Sequence, residues 1–391
     1  MRDLLFLAHR VPFPPDRGDK IRSYHLLRHL ARSWRVHLVA FVEDEEEGMV
    51  RGGLDPLAAS IALVRRTKSR PRAALEALAT GRPVSLTAFD DHAVQNAVGR
   101  ALSAHAIDTA FVFSSQMAQY VDVFDGRVVM DFVDVDSAKF TAYADAAKGP
   151  MRWLMRREAR LLLAHDARVA RTTAASLFVS EAEAALFRNL AVADRVHTIE
   201  NGIDTARYDP AETRPEEAAH PLLVFTGQMD YRPNIEAVTD FVRDVFPVIR
   251  AANADAQFTV VGRNPAAEVR ALGERPGVIV TGEVRDVRPW IAAADVVVAP
   301  LGIARGIQNK VLEAMAMARP VVASPQAAEG IDHDGTIRVA DARQQARAVL
   351  DLLADPASAT ALGQAARARV IARYGWDARL APLDALMGPA T

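Results

Sequence analysis

Short apolar runs alternate with longer amphipathic stretches along the whole chain, and this alternation constrains the fold more than any other feature. Short apolar runs are typical of buried strands in parallel sheets, and amphipathic stretches of the helices that cover them. The pattern therefore predicts an α/β protein. The predicted strands are 4–8, 36–42, 61–64, 109–113, 128–130, 177–179, 222–226, 257–261, 278–280, 296–299 and 321–323. The predicted helices are 20–33, 90–105, 151–171, 234–252, 286–293 and 308–318, with three more starting near residues 341, 356 and 376.

Residues 208–221 (YDPAETRPEEAAHP) interrupt the alternation with three prolines, several acidic residues and no apolar period. Such a composition is typical of a linker, and the alternation restarts after it. We therefore predict two doubly wound, Rossmann-like domains, residues 1–205 and 206–375. Ligands of such domains bind where the carboxyl ends of the strands meet, so a cleft between the two domains is the expected site.

The composition limits the classes of partner and chemistry. The 391 residues include 47 lysines and arginines against 49 acidic residues, for a net charge of -2. A general nucleic-acid binder would show a basic excess, so we expect no nucleic-acid partner. The absence of cysteine excludes disulfides, thiol nucleophiles and thiolate zinc sites. The opening apolar run is too short for a signal peptide or a membrane span, which predicts a cytoplasmic protein.

The most informative stretch is VVVAPLGIARGIQNKVLEAMAMARPVVAS, residues 296–324. It predicts a strand, a loop containing Gly306, a helix and a second strand. A glycine before the helix allows a phosphate to approach the first free backbone N–H groups, where the helix dipole is positive. Lys310 and Glu313 lie on one helical face, so a cation would stand beside phosphate and a carboxylate beside ribose hydroxyls. A solvent-exposed Lys–Glu pair is the alternative interpretation.

This stretch resembles the donor-site signature of the family-4 retaining glycosyltransferases, which have the GT-B fold of two Rossmann-like domains facing a cleft. Three further pieces occur in the family's order: ENGID (200–204), FTGQMDYRPN (225–234) and VTGEVRDVRPWIAAADVVVAPL (280–301). The closing RYGWDARLAPLDALM resembles the helix that crosses back onto the first domain, here 376–391. HRVPFPPDRGDKIRSYHLL and VVMDFVDVDSAKFTAYA resemble a subgroup linked to exopolysaccharide loci of the exosortase (PEP-CTERM) type.

The resemblance implies donor-binding roles for individual residues. Glu313 matches the second glutamate of the family's paired-Glu motif, which should hold the donor's ribose, whereas Arg305 stands eight residues earlier, where the family has the first glutamate. That departure puts contacts with the sugar hydroxyls in doubt and could place a cation near the phosphates instead. The residues expected to bind the donor are Gly18, Asp19, Gly227, Arg263, Arg305, Gly306, Lys310 and Glu313.

The diphosphate contacts depart from the family's pattern as well. Gln228 replaces the family's arginine, and Arg232 or Asn234 stands near its later lysine. Other cations must therefore bind the diphosphate, and Lys310 and Arg263 are our candidates. For Arg263, an ordinary surface arginine is the alternative.

The N-terminal loop PFPPDRGDK follows the first predicted strand and ends at a predicted helix. Gly18 and Asp19 could present backbone N–H groups to a donor phosphate or to the acceptor. The alternative is a proline-stiffened surface loop with a helix cap at Asp19.

An acidic cluster, Asp131, Asp134 and Asp136, follows the strand predicted at 128–130. Adjacent carboxylates are costly to bury unless they are paired, so we expect them to face the cleft beside a cation. Asp134 and Asp136 also match a short metal-binding DxD pattern, but that pattern belongs to a different glycosyltransferase fold, and we predict no metal site. Asp131 or Asp134 is expected near the acceptor, with Ser114 and Ser115 as second candidates for acceptor contact.

The helix predicted at 151–171 is basic and amphipathic, with six arginines around Trp153 and several leucines. Such a helix can lie on an anionic membrane, which would suit a lipid-linked acceptor at the inner face of the membrane. The alternative is a helix that packs its apolar side on the core.

Taken with the resemblance, these features predict a metal-independent retaining glycosyltransferase of exopolysaccharide biosynthesis. The donor is a nucleotide-diphosphate sugar, no cofactor is needed, and the acceptor is a polysaccharide or lipid-linked glycan. Lys310 would stabilise charge on the leaving diphosphate, and Asp131 or Asp134 would orient the acceptor or the developing oxocarbenium ion. A nucleotide-sugar epimerase on the same fold and a non-catalytic sugar-nucleotide-binding subunit are the alternatives.

Overall fold

The computed structural model describes residues 1–15, 18–43, 50–304 and 307–389. The chain divides into two compact units, one made of Met1–Asn201 with Arg379–Thr391 and the other of Gly202–Ala378. Each unit is built on one parallel sheet with helices, so the predicted α/β class with two Rossmann-like sheets is confirmed.

The first unit contains a seven-stranded parallel sheet in the order β3-β2-β1-β4-β5-β6-β7. Every residue of β1 is buried, which places this strand in the middle of the core. The strand order reverses between β1 and β4, the position where doubly wound sheets bind ligands. The strands are β1 (Asp3–Ala8), β2 (Arg35–Val42), β3 (Ser60–Arg65), β4 (Ile107–Phe113), β5 (Arg127–Val133), β6 (Ala175–Phe178) and β7 (Val196–Thr198).

Helices connect these strands, and two short 3-10 segments occur at Val50–Gly53 and Ser115–Tyr120. The helices of the first unit are α1 (Gly18–Leu30), α2 (Arg70–Thr80), α3 (Val84–Thr87), α4 (His92–Ala104), α5 (Asp136–Ala146), α6 (Gly149–Thr172) and α7 (Glu181–Ala191).

The second unit contains a six-stranded parallel sheet in the order β10-β9-β8-β11-β12-β13. All residues of β8 and β11 are buried, so these two strands form the centre of its core. The strands are β8 (Leu222–Thr226), β9 (Gln257–Val261), β10 (Val278–Gly282), β11 (Val296–Ala299), β12 (Val321–Ala323) and β13 (Arg338–Val339).

The helix predicted at 234–252 is three segments, because a π-helical turn, Phe241–Val245, separates α8 from α9. Pro247 stands in the first turn of α9 and cannot donate a backbone hydrogen bond, which favours this break. The helices of this unit are α8 (Arg232–Asp240), α9 (Phe246–Ala252), α10 (Ala267–Leu272), α11 (Arg288–Ala293), α12 (Asn309–Ala316), α13 (Pro325–Ala328), α14 (Gln345–Ala354) and α15 (Pro356–Tyr374).

The last helix, α16 (Trp376–Met387), begins in the second unit and continues in the first. Its C-terminal part is held there by Arg127, whose Nε donates to the Leu386 carbonyl over 3.0 Å. His29 Nε2 lies 2.8 Å from Asp384 Oδ1. Side-chain contacts with α1 and β5 thus fix the end of the chain on the first unit.

The stretch predicted as a linker, residues 208–221, lies within the second unit, and the two units meet in sequence at Asn201 and Gly202. Polar contacts fix this stretch in the fold. Arg367 Nη1 donates to the Tyr208 carbonyl over 2.8 Å, and the Glu216 N–H donates to the Pro289 carbonyl over 3.0 Å. These hydrogen bonds, together with the packing of Tyr208 and Ala218 on the core, hold a stretch that has no apolar period.

Candidate functional site

A cavity of about 660 Å³ lies in the second unit, at the carboxyl ends of β8, β9 and β10. The first turn of α12 forms another wall. The cavity has the size of a small-molecule site and lies at the sheet edge where doubly wound folds bind ligands. Its charged and amide side chains include Gln228, Asn234, Arg263, Glu283, Lys310 and Glu313.

Two glycines allow the ends of β8 and β9 to approach each other under this cavity. A Cβ atom on Gly262 would lie 1.6 Å from the Gly227 carbonyl oxygen, so no side chain fits there. A Cβ atom on Gly227 would lie 2.9 Å from Asn234 Nδ2 and 3.2 Å from Lys310 Nζ. Gly227 therefore leaves the space in which the ends of those two side chains meet.

Lys310 brings an ammonium group into the cavity from the first turn of α12. Its Nζ donates to Asn234 Oδ1 over 2.6 Å, and Asn234 Nδ2 in turn donates to the Gln228 carbonyl over 2.9 Å. The ammonium also lies 4.1 Å from the centre of the Phe225 ring, a cation–π distance. Burial lowers the pKa of Lys310 to about 8, and the Glu313 carboxylate opposes that shift.

Glu313 lines the same cavity one helical turn further along α12. Burial raises the pKa of Glu313, while a hydrogen bond with Tyr208 and the charges of Lys310 and Arg207 oppose the rise. Burial and the adjacent carboxylate also raise the pKa of Tyr208, so the phenol stays protonated and donates to Glu313. The sequence did not predict Tyr208 as a site residue, because it lies in the stretch 208–221 that was predicted to be a linker. The one signal for it is that it is the single aromatic residue of that stretch.

Arg263 follows β9 and lines the cavity with an exposed side chain. Its Nη2 donates to Gln228 Oε1 over 3.3 Å. The guanidinium therefore lies beside Gln228, the residue that stands where the resembled family has an arginine. Arg305 and Gly306, the two other residues predicted for donor binding here, lie outside the described residues.

Gly18 and Asp19, predicted to bind donor or acceptor, form the start of α1 in the first unit. Asp19 contacts the Arg10 guanidinium and lies 3.4 Å from His9 Nε2. Burial acts to raise the pKa of Asp19, but His9 and Arg10 outweigh it and hold that pKa well below its usual value. Gly18 is exposed, and a Cβ atom there would meet nothing within 4 Å.

Asp131 is fully buried at the end of β5, which differs from the expectation that it contacts the acceptor or the sugar. Its Oδ2 accepts from Arg22 Nε over 2.9 Å, and its Oδ1 accepts from the Val133 N–H over 3.0 Å. Arg22 also donates to Asn201 Oδ1 over 2.9 Å. Burial raises the pKa of Asp131, while Arg22 opposes the rise. The cation that pairs with it comes from α1, so the carboxylate lies inside the fold and positions Arg22.

Asp134 is partly exposed just after β5. The Lys139 ammonium lies 2.7 Å from Asp134 Oδ2 and 3.0 Å from Asp136 Oδ1. Burial acts to lower the pKa of Lys139, but the two carboxylates raise it to about 12. Val133, just before them, has a φ of 70°, a conformation that is strained for a β-branched residue and typical of functional sites.

Ser114 and Ser115, the second candidates for acceptor contact, are buried. The Ser114 hydroxyl donates to Gln116, and the Ser115 hydroxyl donates to Asp166. Both hydroxyls therefore have partners inside the fold, and neither is placed to contact a ligand from solvent.

One group of potential metal ligands occurs among the described residues: Asp3, His37 and His105. Its carboxylate already has a cationic partner, because Arg35 donates to Asp3 Oδ1 over 2.5 Å and to Oδ2 over 2.6 Å. His37 Nε2 lies 2.8 Å from the same carboxylate, and its Nδ1 lies 2.8 Å from Ser60 Oγ. These contacts account for the group as a hydrogen-bonded cluster at the amino ends of β1 and β2.

Residues 220–355 match the family model described as glycosyl transferases group 1. The matched segment contains the whole lining of the cavity. Over 212 residues the chain is 32% identical to the α-maltose-1-phosphate synthase of Mycolicibacterium smegmatis, covering 47% of this chain and 54% of the relative. The chain thus spans about half the length of the curated relatives it matches.

Solved structures resemble the chain over nearly its whole length. A glycosyltransferase from Rickettsia africae has a TM-score of 0.63 and 12% identity, covering 98% of this chain and 97% of the other. HepE from Anabaena, solved in complex with UDP, has a TM-score of 0.57 and 14% identity, covering 98% of each chain. The fold, two Rossmann-like parallel sheets with helices, is that of the GT-B glycosyltransferase structures.

Proposed function

We propose that this chain is a metal-independent, retaining glycosyltransferase that moves a sugar from a nucleotide-diphosphate donor to a glycan acceptor. The observation that carries the proposal is the placement of the Lys310 ammonium and the Glu313 carboxylate in one cavity, on adjacent turns of α12. The family match over residues 220–355 supports it, as does the likeness to a structure solved with UDP.

Different side chains of the cavity would bind the diphosphate and the ribose of a nucleoside diphosphate. Lys310 offers a compact cation to the diphosphate, and its hydrogen-bond partner Asn234 is neutral and adds no opposing charge. Glu313 offers carboxylate oxygens to vicinal hydroxyls of the ribose, and the Tyr208 hydrogen bond orients that carboxylate. Arg263, at the end of β9, supplies a second cation on the same cavity wall.

Departure of the nucleoside diphosphate places additional negative charge on its phosphate oxygens. Lys310, Arg263 and the first backbone N–H groups of α12 would stabilise that charge more in the transition state than in the ground state. The chain's own cations thus perform the task that a divalent metal performs in other transferases. Retention at the anomeric carbon is proposed from the resemblance of the donor-site motif.

The proposed acceptor is a polysaccharide or a lipid-linked glycan of exopolysaccharide biosynthesis, following the resemblance of the N-terminal motifs to the exosortase-associated subgroup. Asp134 is our candidate for orienting the acceptor, because it lies partly exposed at the end of β5 with its charge balanced by Lys139. Asp131 would act indirectly, by fixing Arg22. We propose action at the cytoplasmic face of a membrane, with peripheral contact at the exposed N-terminal end of the region of residues 151–171. In the described part of the chain, no helix is both long and apolar enough to cross a bilayer.

The direct test incubates the pure protein with UDP-, GDP- and dTDP-sugars and a panel of glycan acceptors. We expect acceptor-dependent release of nucleoside diphosphate that is unchanged by a chelator, and a product with the donor's anomeric configuration by NMR. Isomerised donor in the absence of acceptor would instead identify an epimerase. Donor binding without turnover on any acceptor would favour a non-catalytic subunit.

A further inference from the structure

The helices α5 and α6 form a hairpin, because only residues 147 and 148 separate them and they pack along each other. The sequence pattern predicted that the helix at 151–171 either lies on a membrane or packs on the core. In the structure, the first turns of α6 are exposed and the rest of the helix packs one face on the core.

The C-terminal two thirds of α6 belongs to the core of the first unit. Glu158 is buried, and its carboxylate accepts from the backbone N–H groups of Val84 and Ser85, each over 2.7 Å. Arg157 Nη2 donates to the Ala77 carbonyl over 2.7 Å. Leu162, further along, has no exposed surface. The apolar face of this part of the helix is therefore buried in the protein and is not available to a bilayer.

The first turns of α6 and the last turn of α5 are exposed and carry three large side chains that are apolar or amphipathic. Trp153 is 60% exposed, Tyr143 58% and Met151 53%. Three basic side chains at the same two helical ends, Lys148, Arg152 and Arg156, are exposed as well. We call this surface the hairpin tip; it consists of Tyr143, Lys148, Met151, Arg152, Trp153 and Arg156.

The charge on the hairpin tip indicates its partner. Lys148, Arg152 and Arg156 are basic, whereas Asp145 is the one acidic residue among residues 143–156. Asp145 lies 3.9 Å from Arg156 with both side chains largely exposed, so that pair is weak and leaves an excess of two positive charges. Tryptophan and tyrosine favour the interface between water and lipid, and arginine and lysine bind anionic headgroups.

We propose that the hairpin tip docks the protein on an anionic lipid bilayer, with Trp153, Tyr143 and Met151 at the headgroup boundary and the basic residues on lipid phosphates. The inference deepens the proposed function, since it would hold the protein beside a lipid-linked acceptor. It is tested without donor or turnover, so its failure and the failure of the proposed function are separate results.

The test is flotation of the full chain with vesicles of phosphatidylglycerol and phosphatidylcholine, and with vesicles of phosphatidylcholine alone. We expect binding to the anionic vesicles only, and weaker binding as salt is raised. Arg152→Gln should weaken binding about fivefold, from about 1 kcal/mol per basic residue at such a surface. Trp153→Ser should weaken it about tenfold or more, since a large side chain loses its apolar contact.

Matched controls separate the hairpin tip from the rest of the surface. Arg171→Gln makes the same change at the other, exposed end of α6, and Leu75→Ser removes a 69% exposed apolar side chain from α2. Both should bind like the parent. Lipids brominated on their acyl chains should quench Trp153 fluorescence, and the quenching should be lost in Trp153→Ser. The proposal is overturned if the parent fails to bind anionic vesicles, binds neutral ones equally, or loses as much affinity through Arg171→Gln as through Arg152→Gln.

Discussion

The Lys310 ammonium is held by the side-chain oxygen of Asn234, 2.6 Å away, although the two residues are 76 positions apart. Asn234 is buried in the first turn of α8 and is itself fixed by the Gln228 carbonyl. The contact joins α8 to α12 at the edge of the cavity. Since the carboxamide is neutral, it orients the ammonium without cancelling the charge.

Because the two side chains end close together, a lysine at either position could place its ammonium there. Lys310→Asn should weaken binding of UDP or GDP by about 10- to 100-fold, the range for loss of a charge-assisted hydrogen bond. The exchange variant with Asn234→Lys and Lys310→Asn should recover most of that loss. Isothermal titration of the two variants against the parent measures both effects.

Asn234→Lys alone is the control for this exchange, because it places two ammonium groups together and should lower stability. If the double variant binds no better than Lys310→Asn, an ammonium at this point does not determine diphosphate binding. That result would remove Asn234 from the account of the site.

Donor affinity should depend on pH through Lys310, whose pKa burial lowers to about 8. Below that pH the ammonium is charged and can bind phosphate; above it the free protein must take up a proton in order to bind. Affinity should therefore fall by up to tenfold for each pH unit above about 8. Calorimetric titrations of the donor from pH 6.5 to 9.5 measure this decrease in affinity. Repeating them in buffers of different ionisation enthalpy detects the proton uptake.

Lys310→Arg is the matched variant for the pH experiment, because a guanidinium stays charged throughout this range. Its affinity should not vary between pH 7 and 9.5. A parent protein with equally flat affinity would show that Lys310 does not bind the diphosphate.

The glycines under the cavity should respond differently to the same substitution. Gly262→Ala places a methyl group 1.6 Å from the Gly227 carbonyl oxygen, so it should separate β8 from β9 and strongly destabilise the second unit. Gly227→Ala approaches the ends of Asn234 and Lys310, so it should mainly weaken donor binding. Gly302→Ala, with nothing within 4 Å, is the control. Thermal unfolding and nucleotide titration check the three variants, and a stable, donor-binding Gly262→Ala would contradict this packing.

The sequence pattern located the core strands well, because each is a short apolar run bounded by polar residues. It also placed Lys310 and Glu313 on one helical face, since that relationship depends only on helical spacing. The pattern could not predict contacts between segments that are distant in sequence, such as Lys310 with Asn234 and Asp131 with Arg22. Tyr208 was missed for a similar reason: it contacts Glu313, which is distant in sequence, and its own segment contains no apolar period to detect. The three-residue strand β7 was too short to give a pattern.

Substitution of Asp131 should mainly lower stability, whereas substitution of Asp134 should mainly lower activity. Asp131→Asn leaves the buried Arg22 guanidinium without its carboxylate, which should cost about 3–5 kcal/mol of stability. Asp134→Asn removes a partly exposed partner of Lys139, which should cost about 1 kcal/mol or less and instead lower acceptor-dependent turnover. Scanning calorimetry and turnover assays measure the two effects. Equal thermal stability of the two variants would contradict the buried role assigned to Asp131.

The central claim is that the cavity at the start of α12 binds a nucleotide-diphosphate sugar through Lys310 and Glu313. Isothermal titration of the protein with UDP-, GDP- and dTDP-sugars, with Mg²⁺ and with a chelator, tests it most directly. We predict that at least one donor binds equally well in both conditions, and that Lys310→Ala and Glu313→Ala each weaken its binding, the first through the diphosphate and the second through the ribose. If no nucleotide sugar binds, or if both variants bind the donor as the parent does, the assigned site is wrong.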